Sequence, residues 1–273
     1  MVKYCSRDCQ VAHRPNHKKE CKRRAAELFD EELFKDPPEG AECPICMLPL
    51  PLDQMHADLF TCCGKIICIG CAHAQMKEDY KNGKDDGACA FCRTPYTRTD
   101  KDFIDQMNES VERNNANSME QLGVLYTNGE KGLQQDSIKA AELFEKAGEN
   151  RRASAYCRLG KYYSEENDMK KAKHYWELGA IGGDTESRHK LALLEVKNGN
   201  DIRACKHFLI CAKAGYETSL DGVKLGFQHG IITTDEYTEA LRAYQKQQED
   251  RKSALRDEAS VYEANPSLYN EIS

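Results

Sequence analysis

Three segments between residues 43 and 92 decide the fold of this chain: Cys43-Pro-Ile-Cys46, Cys62-Cys63-Gly-Lys-Ile-Ile-Cys68-Ile-Gly-Cys71 and Cys89-Ala-Phe-Cys92. They contain eight of the fourteen cysteines. Eight thiolates are enough ligands for two tetrahedral Zn²⁺ ions with four sulfur atoms each, the closed arrangement of a structural zinc. A segment this short and polar buries little apolar surface, whereas a bound structural zinc contributes about 10–16 kcal/mol to folding. We therefore expect metal to hold it together.

The spacing of these cysteines resembles that of a RING finger over residues 43–96. In that family the ligand pairs alternate between two zinc ions, so the first and third pairs share one ion and the second and fourth share the other. The resemblance implies one site of Cys43, Cys46, Cys68 and Cys71 and a second site of Cys62, Cys63, Cys89 and Cys92.

The segment departs from the RING pattern at one position. Most members of the family have Cys-Gly-His before the third pair, and here Lys65 stands where the histidine would be. A protonated amine does not ligate zinc, so the resemblance to all-cysteine RING fingers makes Cys62 the source of the missing thiolate. Directly adjacent ligands are sterically awkward, and His56 or His73 are the alternatives for one of them.

The same resemblance suggests an activity. RING fingers that act as ubiquitin ligases present apolar residues in both zinc loops to a ubiquitin-conjugating enzyme, and Ile45 and Pro95 occupy comparable positions. Many also have an arginine directly after the last ligand, where Arg93 stands. Such an arginine holds the thioester-linked ubiquitin in a reactive pose, which is catalysis by positioning, and the ligase supplies no catalytic nucleophile. The alternative is that Ile45 is a core residue and Arg93 a surface charge.

Cysteine-rich segments also occur as disulfide frameworks and as redox motifs. The repeated CxxC pairs do not favour the first, and the initial Met-Val-Lys-Tyr-Cys lacks the apolar run of a signal peptide. No strand and helix pattern favours a thioredoxin-like motif. No apolar run is long enough to cross a membrane, and a net charge of −6 argues against nucleic acid as a partner of the whole chain.

Residues 1–24 contain a second ligand pattern, Tyr-Cys5-x-x-x-Cys9 followed by His17-x-x-x-Cys21. It resembles the second half of a MYND finger, a two-zinc module whose first half supplies two further CxxC pairs that this chain lacks. Three interpretations stay open: the chain begins inside a finger, these residues form a metal-free helix, or the four ligands share one zinc. The expected number of Zn²⁺ ions is therefore two or three. The basic residues of this segment suit a solvated helix face or nuclear import.

Residues 25–38 predict a linker helix that ends at Pro37-Pro38. The RING-like module then covers 39–97, and an internal repeat follows from 101 to 245. Leu122-Gly123-x-x-Tyr126 recurs as Leu159-Gly160-x-x-Tyr163, and Lys139-Ala140 recurs as Lys171-Ala172 and Arg203-Ala204. A period in the low thirties with two amphipathic helices per unit predicts a helical solenoid.

The repeat resembles Sel-type repeats, which are related to tetratricopeptide repeats. The resemblance implies a surface that binds protein partners and implies no chemistry. We interpret Cys157, Cys205 and Cys211 as core residues of the solenoid, and His174, His189 and His207 as isolated residues rather than ligands. Gly123 and Gly160 are expected to let the two helices of a unit approach closely. Residues 246–273 predict a polar, solvated tail.

The predicted fold is mainly α: a small zinc-stabilised RING-like α+β module followed by an α-helical repeat solenoid. The domain order resembles an expanded family of diatom-like algae in which RING-like and Sel-type segments occur together. Two functions stay open for a cytoplasmic or nuclear protein. One is a ubiquitin ligase whose repeats recruit protein substrates, and the other is a non-enzymatic adaptor in which the zinc module is purely structural. No phosphate-binding loop or nucleophile elbow indicates another enzyme class.

Overall fold

The computed structural model describes residues 14–38, 40–52, 57–83 and 87–264, with side chains described from residue 20 to residue 262. The chain divides into two compact units, residues 1–36 and residues 37–273. Within the described ranges, no helix is both long enough and apolar enough to span a bilayer.

The described part of the first unit is one long helix, α1 (Arg14–Leu33), followed by a short non-helical segment. The helix begins eleven residues before the predicted linker helix and ends at Leu33, before the expected stop at Pro37-Pro38, so the end of the MYND-like segment and most of the linker form one element. Ion pairs one turn apart support the exposed face, with Arg23 Nη2 2.5 Å from Glu20 Oε1 and Arg24 Nη1 3.2 Å from Glu27 Oε2.

The second unit begins with the cysteine-rich module. Strands β1 (Ala57–Phe60) and β2 (Lys65–Cys68) form an antiparallel hairpin in which Ala57 pairs with Cys68 and Phe60 with Lys65. Helix α2 (Ile69–Lys81) follows β2 directly. Ile67 is fully buried in the module's small core. The module is therefore an α+β element as predicted, with very few apolar residues inside.

In the described part of the second unit, nine helices follow the module before the C-terminal helix. The first of them precedes the repeats, and the other eight form four consecutive helix pairs that build the solenoid. A short 3₁₀ turn (Glu217–Ser219) lies between the seventh and the eighth of the nine. The nine helices are α3 (Asp100–Glu112), α4 (Ala116–Asn128), α5 (Ser137–Glu149), α6 (Ala153–Glu165), α7 (Met169–Ile181), α8 (Thr185–Lys197), α9 (Asp201–Lys213), α10 (Leu220–Gln228) and α11 (Thr234–Asp250).

Sequence features shared by the repeats explain their helix pairs. The carboxylates of Asp136 and Asp168 accept hydrogen bonds from backbone N–H groups three residues later, at 2.9 and 3.0 Å, and so cap α5 and α7. A Cβ atom at Gly123 would lie 2.6 Å from the Phe144 ring, and one at Gly160 would collide with Trp176. The two glycines therefore allow close approach within a repeat, as expected.

Both α3 and α4 contact the hairpin of the cysteine-rich module. Arg113 Nη2 donates to the carbonyl oxygen of Cys62 at 2.7 Å, and Asn117 Nδ2 donates to that of Gly64 at 2.8 Å. Leu59 of β1 packs with Met107 and other apolar residues of α3 and α4. The module is therefore held against the first repeat through the turn of its hairpin.

The C-terminal region differs from the predicted solvated tail. Residues 246–250 complete α11, and a further helix, α12 (Ala254–Ala264), packs against α2 of the cysteine-rich module. A Cβ atom at Gly70 of α2 would lie 2.7 Å from the backbone nitrogen of Arg256, so the glycine permits this close packing. Residues 265–273 of the predicted tail lie outside the described ranges.

A buried ion-pair network joins the first two repeats. The Glu120 side chain on α4 is only 4% exposed and accepts from Arg152 Nε at 2.5 Å, Arg158 Nε at 3.0 Å and Ser154 Oγ at 3.0 Å. Burial raises the pKa of Glu120, but the two guanidinium groups outweigh it and hold the pKa below its usual value. The carboxylate is therefore a stabilising charge between repeats at neutral pH.

We predict that Glu120→Gln lowers the free energy of unfolding by about 3–5 kcal/mol, because it leaves two arginines without their buried carboxylate. Since the folded pKa is depressed, this stabilisation is present above the unfolded pKa and is lost as pH falls through the folded pKa. The difference between parent and variant should therefore shrink in acid. Urea unfolding, monitored by circular dichroism, measures the free energy of unfolding of parent and variant. Glu142→Gln, at an exposed position, is the control. Equal losses in the two variants would contradict the prediction.

Candidate metal centre

The structure brings the eight cysteines of residues 43–92 together in two groups of four. Within each group, the sulfur atoms all lie within 4.8 Å of one another. Cluster 1 contains Cys43, Cys46, Cys68 and Cys71, and cluster 2 contains Cys62, Cys63, Cys89 and Cys92. These are the groupings that the RING resemblance implies.

Strand β2 explains the alternation of the ligand pairs. Cys62 and Cys63 precede the strand, whereas Cys68 ends it and Cys71 lies in the first turn of α2. Four residues of extended chain span about 13 Å, so the two pairs cannot share one ion. Each pair is completed by a loop from elsewhere in the chain, residues 43–46 at one end of β2 and residues 89–92 at the other.

The two completing loops have the same backbone structure. The N–H of Cys43 donates to the Leu48 carbonyl at 2.9 Å, and the N–H of Cys89 donates to the Thr94 carbonyl at 2.9 Å. In both loops the residue after the second cysteine has a left-handed backbone conformation, with φ of 58° at Met47 and 59° at Arg93. Residues other than glycine rarely adopt this conformation, so each loop holds some strain.

The tight turn between the two strands resolves the awkwardness of adjacent ligands. The N–H of Gly64 donates to the Phe60 carbonyl at 2.6 Å, and Gly64 has φ of 67°. The turn directs the two sulfur atoms to different partners, with Cys62 Sγ 3.2 Å from Cys92 Sγ and Cys63 Sγ 3.7 Å from Cys89 Sγ. Both adjacent cysteines therefore reach the same cluster.

The sulfur separations fit zinc better than disulfides. A tetrahedron with Zn–S bonds of about 2.3 Å has S···S edges of about 3.8 Å, whereas a disulfide is about 2.05 Å long. Cys46 Sγ and Cys68 Sγ are 3.7 Å apart, and the described cysteines are all unpaired thiols. The clustered cysteines thus suggest zinc binding, in which four sulfur donors would leave no position for water or substrate.

Hydrogen bonds favour a thiolate in each cluster. Burial opposes ionisation of Cys43, but backbone N–H groups of the zinc loop and of Cys68 lower its pKa to about 7. Burial likewise opposes ionisation of Cys92, and the Thr94 hydroxyl and N–H lower its pKa to about 6. Desolvation raises the pKa of Cys71. Burial likewise raises the pKa of Cys62. Each cluster therefore has one thiol that ionises readily and at least one whose ionisation burial opposes.

The residues near the atypical third pair have other roles. Lys65 Nζ lies 4.2 Å from the centroid of the Phe91 ring, a cation–π contact across the module. His73 is buried on α2 with its ring centroid 4.5 Å from that of Tyr262, outside both clusters. His73 is therefore not a substitute ligand, and His56 lies outside the described residues.

The N-terminal ligand candidates are only partly described. Cys5 and Cys9 lie outside the described residues, and His17 is in α1 with its side chain outside them. Cys21 is a half-buried free thiol on the same helix. A metal site in this segment stays a prediction.

The candidate contacts for a conjugating enzyme lie at the surface. Ile45 is 44% exposed, so the alternative of a core residue is wrong, and Arg93 and Pro95 are exposed in the loop that completes cluster 2. Arg256 of α12 was not predicted as a site residue, although its guanidinium reaches Cys46 Sγ at 3.7 Å. The two residues are 210 positions apart, so no local pattern in the sequence indicates the contact.

We predict that a strong chelator under reducing conditions makes the eight clustered cysteines reactive toward maleimide, because the module has too little core to stay folded without metal. Cys157, Cys205 and Cys211 are buried in the solenoid and serve as internal controls. Peptide mapping by mass spectrometry measures labelling at each position. Clustered cysteines that stay protected after chelation, or that react equally fast before it, would contradict the prediction.

Comparisons with known proteins match two parts of the chain. The family model of the MYND finger matches residues 1–21, and that of the Sel1 repeat matches residues 116–151 and 153–184. No curated protein matches at a significant level.

Two solved structures are similar to this chain. One is a Sel1 repeat protein from Oxalobacter formigenes, with 17% sequence identity and a TM-score of 0.46 over 66% of this chain and 71% of that chain. The other is c5321, a protective antigen present in uropathogenic Escherichia coli strains displaying an SLR fold. It has 16% identity and a TM-score of 0.43 over 70% of this chain and 44% of that chain. From the family models, the chain carries an N-terminal MYND-type segment and Sel1 repeats.

Proposed function

We propose that this protein is a RING-type ubiquitin ligase that binds two zinc ions in clusters 1 and 2. The observation that carries the proposal is the pair of alternating four-thiol clusters joined by a hairpin and a helix. Sel1 repeats generally mediate contacts between proteins, and the solenoid is the part of the chain proposed to recruit the substrate.

Exposed groups on the module support binding of a conjugating enzyme. Ile45 and the neighbouring Met47 are 44% and 65% exposed, so two apolar side chains of the first zinc loop are accessible to a partner. The helix and the second zinc loop are joined by Gln75, whose Nε2 donates to the Ala88 carbonyl at 2.8 Å and to Tyr96 Oη at 2.9 Å. This link fixes the loop that carries Arg93 relative to α2.

The proposed mechanism is positioning. Four-sulfur zinc sites are structural, so the metal would supply only rigidity to the two loops. Ile45 and Pro95 would provide the apolar contact with the conjugating enzyme. The Arg93 guanidinium has several N–H donors and would hold both the enzyme and its ubiquitin, so that the thioester faces the incoming amine.

A second candidate function is a non-enzymatic adaptor. The cysteine-rich module contacts α3 and α4 through the hairpin turn and α12 through α2, so it also joins the two ends of the helical region. In this alternative the module serves only as an internal brace, and the repeats alone bind partners.

A ubiquitin-discharge assay separates the two functions. The full chain should accelerate transfer of ubiquitin from at least one member of a panel of charged conjugating enzymes to free lysine. Ile45→Ala should remove the acceleration by weakening binding, and Arg93→Ala should lower the rate about tenfold or more with binding retained, since it acts on positioning. The matched controls Ile138→Ala and Arg242→Ala replace exposed residues of the solenoid and should keep full activity.

Zinc content is measured on every variant so that loss of the fold is distinguished from loss of contact. The expected content is two ions from clusters 1 and 2, with a third if the N-terminal segment also binds metal. A zinc-loaded parent that discharges none of the panel would refute the ligase proposal and favour the adaptor.

A further inference from the structure

Helix α12 touches the cysteine-rich module beside cluster 1. Lys77 Nζ of α2 lies 2.5 Å from Glu258 Oε1, and the ring of His73 contacts that of Tyr262 at a tilt of 39°. Ala259, on the same face of α12, is fully buried. The contact joins residues that are about 180 positions apart, and packing rather than chain connectivity therefore maintains it.

Arg256 is the residue of α12 that reaches the zinc loop itself. It is 7% exposed, although arginine is rarely buried without a partner. Its Nη1 donates to the carbonyl oxygens of Pro49 and Arg251 at 2.9 and 2.7 Å, and its Nη2 donates to the Leu48 carbonyl at 3.5 Å. Two of these three carbonyls belong to the loop that completes cluster 1.

In the part of the chain that the structure describes, no aspartate or glutamate forms an ion pair with Arg256. The negatively charged neighbour would instead be cluster 1, where Cys46 Sγ lies 3.7 Å from Nη2. Four thiolates around one Zn²⁺ have a net charge of −2, which is well matched to a buried guanidinium.

Groups that hydrogen-bond to metal ligands orient those ligands and raise metal affinity, and removing one typically costs 10–100-fold in affinity. Arg256 contacts both a ligand sulfur and the backbone of the ligand's loop. It is therefore placed to stabilise the loaded cluster from a helix that is distant in sequence.

We propose that Arg256 is a positioning residue of cluster 1, and that docking of α12 and metal binding at this cluster stabilise each other. Because such coupling is reciprocal, α12 raises the affinity of cluster 1 by the same factor by which bound metal favours docking of α12. Loss of this metal releases the C-terminal helix. The inference depends on zinc binding in the proposed function and is independent of ubiquitin transfer.

The first test compares Arg256→Met with Lys252→Met in the full chain. Methionine keeps much of the length of either side chain without its charge, and Lys252 is exposed near the start of the same helix. Zinc release to a chromogenic chelator is followed in time, and maleimide labelling identifies the emptied cluster. Arg256→Met should release the metal of cluster 1 about 10–100-fold faster, with cluster 2 unchanged. Equal release from the two variants would overturn the proposal.

The second test needs no substitution, so a variant that fails to fold cannot obscure the result. Hydrogen exchange of the parent is measured while the chelator removes zinc. Residues 254–264 should lose protection together with residues 43–50, before the solenoid helices do. Persistent protection of residues 254–264 after cluster 1 is labelled would overturn the proposal. Parent protein that binds no zinc would overturn it together with the zinc part of the proposed function.

Discussion

The convergence of thiols from distant parts of the chain at the two ends of β2 is the constraint on which the second unit depends. The strand separates Cys63 from Cys68, and each end needs a second pair of sulfur atoms from a loop outside the hairpin. With little more than Ile67 fully buried between the clusters, apolar packing contributes little. In the proposed zinc-bound form, a metal ion held by four sulfur atoms at each end would supply the missing cohesion. Each loop that completes a cluster contains a residue with a left-handed backbone conformation, Met47 in one and Arg93 in the other.

The solenoid is stabilised differently. Its repeats pack through small residues against aromatic rings, as at Gly123 and Phe144, and through buried ion pairs such as Glu120 with two arginines. The two regions meet at both ends of the module. Polar side chains of α3 and α4 hold the hairpin turn, and α12 covers α2. The cysteine-rich module is therefore built into the helical region, and its packing is physically connected with that of the repeats.

Much of this arrangement follows from local patterns in the sequence. The resemblance to a RING finger implies the two groupings of thiols. The recurrence of Leu-Gly-x-x-Tyr predicts the helix pairs, because each pair depends on residues close in the chain. The docking of α12 does not follow from such a pattern. Its contact with the module depends on a buried arginine and on a close approach at Gly70, rather than on an apolar stripe. The sequence also does not indicate the left-handed backbone conformation at Met47 and Arg93, because neither residue is a glycine.

The central claim is that eight thiolates hold two metal ions with four sulfur ligands each. Cadmium-113 NMR of the full chain, with zinc replaced by cadmium, tests it most directly, because the chemical shift reports how many sulfur atoms surround each ion. We expect two resonances in the strongly deshielded range of four-sulfur coordination, with any signal from the N-terminal segment shifted away by its histidine. Absence of the two resonances, or shifts that indicate fewer than four sulfur ligands, would contradict it.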